Sequence, residues 1–165
     1  MQVDQLLTMR FRGWLLVILL GSHLPMPTQA SQRPSAGNSL EQAIAAFEQR
    51  GFVIRREHPR CREPNLYGLY VRGRREMVVC PRGNQRETLL HEGWHAVQSL
   101  CLRGQLLFGT DELLQRLGRG ERRELEQLYR PEQWPREAEA RLMARQPLDA
   151  FLQSLDRACG ANGRH

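Results

Sequence analysis

Leu89-Leu90-His91-Glu92-Gly93-Trp94-His95-Ala96-Val97 is the stretch from which the rest of this 165-residue chain can be read. It contains His-Glu-x-x-His. On an α-helix, residues four apart lie one above the other, so His91 and His95 can present two imidazoles to one cation. Neutral imidazole is a common zinc ligand. Glu92, beside the pair, is placed to take a proton from a water bound to such an ion.

The neighbouring residues support a helix. At about 100° per residue, Leu89, Leu90, Gly93, Trp94, Ala96, Val97, Leu100 and Cys101 fall on one broad arc. Thr88, His91, Glu92, His95 and Gln98 fall on the other. One face is therefore expected to enter a core. The other carries the histidines to solvent or into a cleft roofed by another element.

Outward from this helix, the pattern implies an α+β fold: a small antiparallel sheet packed on the His-bearing helix, followed by C-terminal helices. Ser39-Leu40-Glu41-Gln42 is a capping-box pattern, and Leu40, Ala43, Ile44 and Phe47 make a helical stripe ended by Gly51. Phe52-Val53-Ile54, Leu66 to Val71 and Glu76 to Cys80 read as strands, the last two joined through Gly73. The His-bearing helix is expected to run to about Arg103. Further helices are expected after Thr110, from Glu121 to Tyr129, from Pro135 to before Pro147, and from Leu148 to near Gly160.

Residues 1–30 read as a secretory signal. Arg10 and Arg12 precede the apolar run Trp14 to Leu20, and Thr28-Gln29-Ala30 offers small residues for cleavage. The run is short for a membrane span, which needs about 20 residues, so a membrane association is expected only if the signal stays uncleaved. Residues 31–38 read as a flexible lead-in and 39–165 as a single domain. The product is expected to be exported, periplasmic or extracellular. Net charge is +6, and all 24 basic residues are arginines. These are scattered among glutamates rather than gathered with aromatics into a stripe, which argues against nucleic acid as a partner.

All four cysteines, Cys61, Cys80, Cys101 and Cys159, follow the expected cleavage site. In an exported chain an even number suggests two disulfides. Of the three connectivities, Cys61–Cys80 with Cys101–Cys159 is favoured: the first ties the hairpin, the second pins the last helix to the His-bearing one.

A catalytic zinc site needs a third protein ligand. His58 lies in an Arg-rich loop, His23 in the signal and His165 at the terminus, so a carboxylate is the better candidate. Within Trp134 to Ala144, Glu139 falls between Leu142 and Met143 on the apolar face. Glu137 falls four residues before Arg141, where an ion pair is the simple reading. A carboxylate aimed at a core is costly unless paired or metal-bound, so Glu139 is the expected ligand, with a buried Glu139–Arg pair as the structural alternative. Glu132 is a weaker candidate, and Glu137 stays open.

His91-Glu92-Gly93-Trp94-His95, with Glu139-Ala140 in a later helix, resembles the gluzincin branch of the zincin metallopeptidases. The resemblance implies a zincin-like fold with a sheet edge over the cleft. It implies a Zn²⁺ held by His91, His95 and Glu139, with Glu92 as general base. The function expected is zinc-dependent hydrolysis of peptide bonds in a peptide or protein substrate. After His95 the chain lacks the Gly and His of the extended metzincin pattern. The alternative from another class is a non-catalytic exported binding module whose metal, or a salt bridge, braces the helix pair.

Overall fold

Six helices and three short strands follow one another through residues 36–160, the part of the chain described by the computed structural model. The expected signal segment, 1–30, and residues 31–35 lie outside the described residues. The order is α1 (Ala36–Glu48), β1 (Val53–Arg55), β2 (Gly68–Tyr70), β3 (Glu76–Val79) and α2 (Gln85–Leu100). Then come α3 (Thr110–Arg116), α4 (Arg119–Leu128), α5 (Trp134–Ala144) and α6 (Leu148–Gly160), with 3-10 turns at Pro59–Arg62 and Pro131–Gln133. The architecture is α+β.

The sheet has the order β1-β3-β2. β2 and β3 form the expected antiparallel hairpin, with Leu69 opposite Val78 and Gly73 turning at φ +76°. β1 corrects the expectation of an all-antiparallel sheet. It pairs parallel with β3, Ile54 opposite Met77. The long connection from β1 carries the chain past the middle position to β2, which runs opposite to β1, and the hairpin then brings β3 back between them, parallel to β1. β2 is consequently an edge strand beside α2.

α1 begins at Ala36, one turn before the expected cap at Ser39, so Ser39 lies inside the helix. α2 starts as its sequence allows. The Asn84 side chain accepts from the Glu87 backbone N–H at 3.2 Å, filling an otherwise unsatisfied N-terminal donor. α2 ends at Leu100 rather than Arg103, and its buried face is Leu89, Leu90, Gly93, Trp94, Ala96, Val97 and Gln98. Gln98, expected beside the histidines on the open face, is fully buried.

The main core gathers Phe47, Phe52, Trp94 and Phe151, with Phe47 and Trp94 each ring-to-ring against Phe151 at 6.0 and 5.7 Å. α1 approaches α2 closely enough that a Cβ on Gly93 would lie 2.1 Å from the Phe47 ring, a contact no ordinary side-chain shift relieves. A second cluster, Leu113, Leu117, Leu125 and Ala138, joins α3 and α4 to α5. α5 thus stands between two cores, with different neighbours on opposite faces.

Both expected disulfides are present, Cys61–Cys80 and Cys101–Cys159, and they fit an oxidising compartment. Among the described residues no helix is long and apolar enough to cross a membrane. The loops closed span 19 and 58 residues. Chain-entropy scaling gives about 3 and about 4 kcal/mol of stabilisation respectively. Replacing Cys101 and Cys159 by serine is therefore expected to lower the unfolding free energy more than replacing Cys61 and Cys80, as read from denaturant melts. The reverse order would show that native-state packing, not loop closure, sets these contributions.

Candidate metal centre and cleft

α2 and α5 make the most extensive helix–helix contact in the fold, and the candidate centre lies where they meet. His91 and His95 project from adjacent turns of α2, their Nε2 atoms 3.2 Å apart. Glu137, in the first turn of α5, faces them. Its Oε1 is 3.3 Å from His95 Nε2 and its Oε2 is 3.6 Å from His91 Nε2. One ligand atom from each of the three residues lies within 4.8 Å of the others.

Glu139, not Glu137, was the carboxylate expected here, and the structure places it elsewhere. Two residues apart on a helix, the two side chains point about 200° from one another. The face that carries Glu139 is buried as the sequence implies. Its carboxylate is met by N–H donors rather than by a cation. Trp94 Nε1 and Gln98 Nε2 donate to Oε2 at 2.9 and 2.8 Å, and the Leu107 and Phe108 backbone N–H groups donate to Oε1 at 2.6 and 3.1 Å. A carboxylate with that many donors is satisfied without a partner charge. The expected Glu137–Arg141 pair is replaced as well: Arg141 donates to Glu124 of α4 at 2.8 Å, which leaves Glu137 to the histidines. Glu132 pairs with Arg130 at 3.2 Å on the exposed surface.

Glu139 still acts on the centre through Gln98. The Gln98 amide nitrogen donates to Glu139 and to the Arg136 carbonyl, so its oxygen is left as an acceptor and lies 3.0 Å from His95 Nδ1. His95 therefore carries a proton on Nδ1. In the neutral ring its Nε2 is then a bare lone pair directed at His91 and Glu137, the tautomer a metal ligand requires.

Two features of the donor set fit a divalent cation. The two imidazole Nε2 atoms are 3.2 Å apart, near the edge of about 3.3 Å of a tetrahedron with zinc–ligand bonds of about 2.0–2.1 Å, and each has one Glu137 oxygen at 3.3 or 3.6 Å. Glu137 Oε2 is also buried without a hydrogen-bond partner, an arrangement that costs free energy unless something else meets it.

The charges respond to this crowding. Burial alone would push the Glu137 carboxyl up, but the two histidines hold it down to about 2. Burial opposes a charge on His95, yet Glu137, Glu92 and Gln98 together raise its value. Burial raises Glu92 above the usual carboxylate range, against the pull of His91, His95 and the Tyr70 N–H, which donates to Glu92 Oε2 at 2.8 Å.

These shifts set a stability window for the metal-free protein. Glu137 is depressed on folding, so its contribution is present above about pH 4.5 and is lost as pH falls through about 2. His95 is raised on folding, so its contribution is complete below 6.5 and fades as pH rises through the raised value. Thermal melts in chelator are expected to show both flanks, and Glu137→Gln should flatten them. Identical pH profiles for the two proteins would contradict the coupling.

A cleft passes over the centre along the edge strand. One half, about 570 Å³, is bordered by Gly68 to Tyr70 with His95, Arg136 and Glu137. The other, also about 570 Å³, is bordered by Asn65 to Gly68 with Tyr67 and Leu128. His91, Glu92, Gly68 and Tyr129 border both halves. A Cβ on Gly68 would meet Thr88 at 2.5 Å and Glu92 at 3.2 Å, so glycine lets the edge strand lie close to the motif helix. Three tyrosines, Tyr67, Tyr70 and Tyr129, border the cleft. The Tyr70 hydroxyl accepts from the Gly73 N–H in the hairpin turn, whereas Tyr129 stands at the junction of the halves.

Comparison with protein-family models, with curated proteins and with solved structures gives no significant match to this chain.

Proposed function

We propose that this chain is an exported zinc-dependent metallopeptidase of the gluzincin type, hydrolysing peptide bonds in peptide or protein substrates. The observation that carries the reading is the convergence of His91, His95 and Glu137 beside Glu92 at the floor of a two-sided cleft. The carboxylate ligand is Glu137, in place of the Glu139 that the sequence favoured. When bound, a zinc ion would supply Lewis-acid chemistry, making a water acidic near neutral pH and polarising a carbonyl.

The chain's own groups do the rest. Glu92 accepts a proton from the attacking water and delivers it to the departing nitrogen. Burial raises its value, which makes the carboxylate a better proton acceptor than an exposed one. Tyr129, at the junction of the two halves, is the hydroxyl offered to a developing carbonyl oxyanion. Glu139 and Gln98 hold His95 in its ligating tautomer. The two disulfides agree with export.

Metal analysis of the purified protein, followed by a peptide-library cleavage assay with and without chelator, tests the reading. About one zinc per chain is expected from a single ligand cluster, with cleavage abolished by chelator and restored by added zinc. Zinc present without cleavage of any peptide would leave the non-catalytic, metal-braced binding module in its place.

A further inference from the structure

The two halves of the cleft differ in chemistry, and the difference follows the direction of β2. Bonds from Val71 N to Glu76 O and from Cys80 N to Tyr67 O turn the backbone groups of residues 67 and 71 toward β3. Strand alternation therefore turns those of Gly68 and Tyr70 outward, toward the cleft. The Tyr70 N–H reaches Glu92 on that side. An extended chain laid along this edge would run from one half of the cleft into the other, past the metal centre.

At the start of the strand the wall is apolar. Val53, Tyr67, Leu107 and Leu128 are the exposed large hydrophobic residues among those described, and two of them, Tyr67 and Leu128, border this half. Its arginines are engaged, Arg141 with Glu124 and Arg145 with Glu121. At the end of the strand three guanidiniums, Arg72, Arg130 and Arg136, border the half that also holds Glu92, Glu132 and Glu137. Arg130 faces Glu132 in an exposed pair. Among the described residues Arg72 and Arg136 have no carboxylate partner. Unpaired guanidiniums beside a cleft favour carboxylates by charge and by geometry.

We propose that the cleft selects an extended peptide bearing an acidic side chain on one flank of the scissile bond and a large apolar side chain on the other. The apolar residue lies against Tyr67 and Leu128, and the acidic one against Arg72 and Arg136. This assignment of substrate class rests on the peptidase reading.

The test measures binding separately from cleavage. Zinc-supplemented full-length protein carrying Glu92→Gln is titrated against fluorescent peptides of one length, by polarisation. The peptides carry Glu, Gln or Arg on one flank and Leu or Ser on the other, in both orders. The acidic–apolar peptide is expected to bind about tenfold more tightly than its Gln or Arg counterparts, with the gap narrowing as salt rises. Adding Arg72→Gln and Arg136→Gln should remove the acidic preference and leave the Leu preference. Adding Leu128→Ser, at a side chain 65% exposed, should do the reverse without disturbing the fold. Equal affinities across the series, no binding at all, or an acidic preference that survives loss of both arginines would each overturn the proposal. The wild-type protein is then assayed for cleavage of the same peptides. Selective binding without cleavage would remove the peptidase reading and keep the recognition; cleavage without selectivity would do the opposite.

Discussion

Glu92→Gln is expected to lower peptide hydrolysis by about 10²–10⁴-fold, the usual contribution of a positioned general base, while zinc stays bound. The amide keeps the shape of the side chain, and its oxygen can still accept from the Tyr70 N–H that now holds the carboxylate at 2.8 Å. What it loses is the ability to take a proton. Glu137→Ala is the companion variant with a different signature. It removes one of the three proposed ligands and should cost more zinc affinity than the 10–100-fold typical of losing an outer-shell partner. Activity in Glu137→Ala should therefore return only at high added zinc, whereas added zinc should do nothing for Glu92→Gln. Isothermal titration with zinc, run beside steady-state assays of both variants, separates the two roles. Unchanged turnover in Glu92→Gln would rule out the proposed proton transfer.

Glu139→Ala is expected to be the most destabilising of the single substitutions considered. Its carboxylate is the acceptor for Trp94, Gln98, Leu107 and Phe108. Gln98 keeps its bond to the Arg136 carbonyl, but the Trp94 indole N–H is left buried and unmet, and the part-buried Leu107 and Phe108 N–H groups lose their acceptor, at up to about 1–3 kcal/mol each before relaxation and rehydration. A net loss of about 3–5 kcal/mol follows, a large part of the 5–15 kcal/mol that holds a typical domain together. Glu139→Gln keeps one acceptor and should cost less, leaving a folded protein in which zinc can be titrated. There the expected loss is about 10–100-fold, transmitted through Gln98 to the orientation of His95. Should Glu139→Gln bind zinc more weakly than Glu137→Ala, the assignment of the two carboxylates would have to be exchanged.

The error over these carboxylates shows where sequence reading stopped. His91, Glu92 and His95 were legible because one helix fixes their mutual placement at short range. The burial of Glu139 was legible for the same reason, from its position between Leu142 and Met143 on the helical wheel. The inference failed at the next step, from buried carboxylate to metal ligand. Which groups meet a buried acid depends on what the rest of the chain brings, and the loop before α3 brings backbone N–H groups with no residue signature. Glu137 was assigned to Arg141 by helical spacing, but a long-range pair with Glu124 claimed the arginine. The cysteine pairing and the β2–β3 hairpin were recovered because each follows from local pattern and an even count. The parallel placement of β1 was not, since a three-residue strand carries no mark of its partner's direction. Gln98 was read as open because the helical wheel sets it beside His91 and His95; its burial becomes intelligible only with Glu139 and Arg136 alongside.

The approach of Phe47 to Gly93 reaches beyond packing. The letters of the pentapeptide answer to three constraints: positions 91, 92 and 95 to the proposed chemistry, position 93 to an aromatic ring from α1, and position 94 to an indole that holds the Glu139 carboxylate. Transplanting the five residues onto another scaffold would carry over the imidazoles but not the interlock behind them. A methyl group at position 93 would then force α1 and α2 apart, displacing the helix that carries both imidazoles through a residue that touches neither of them.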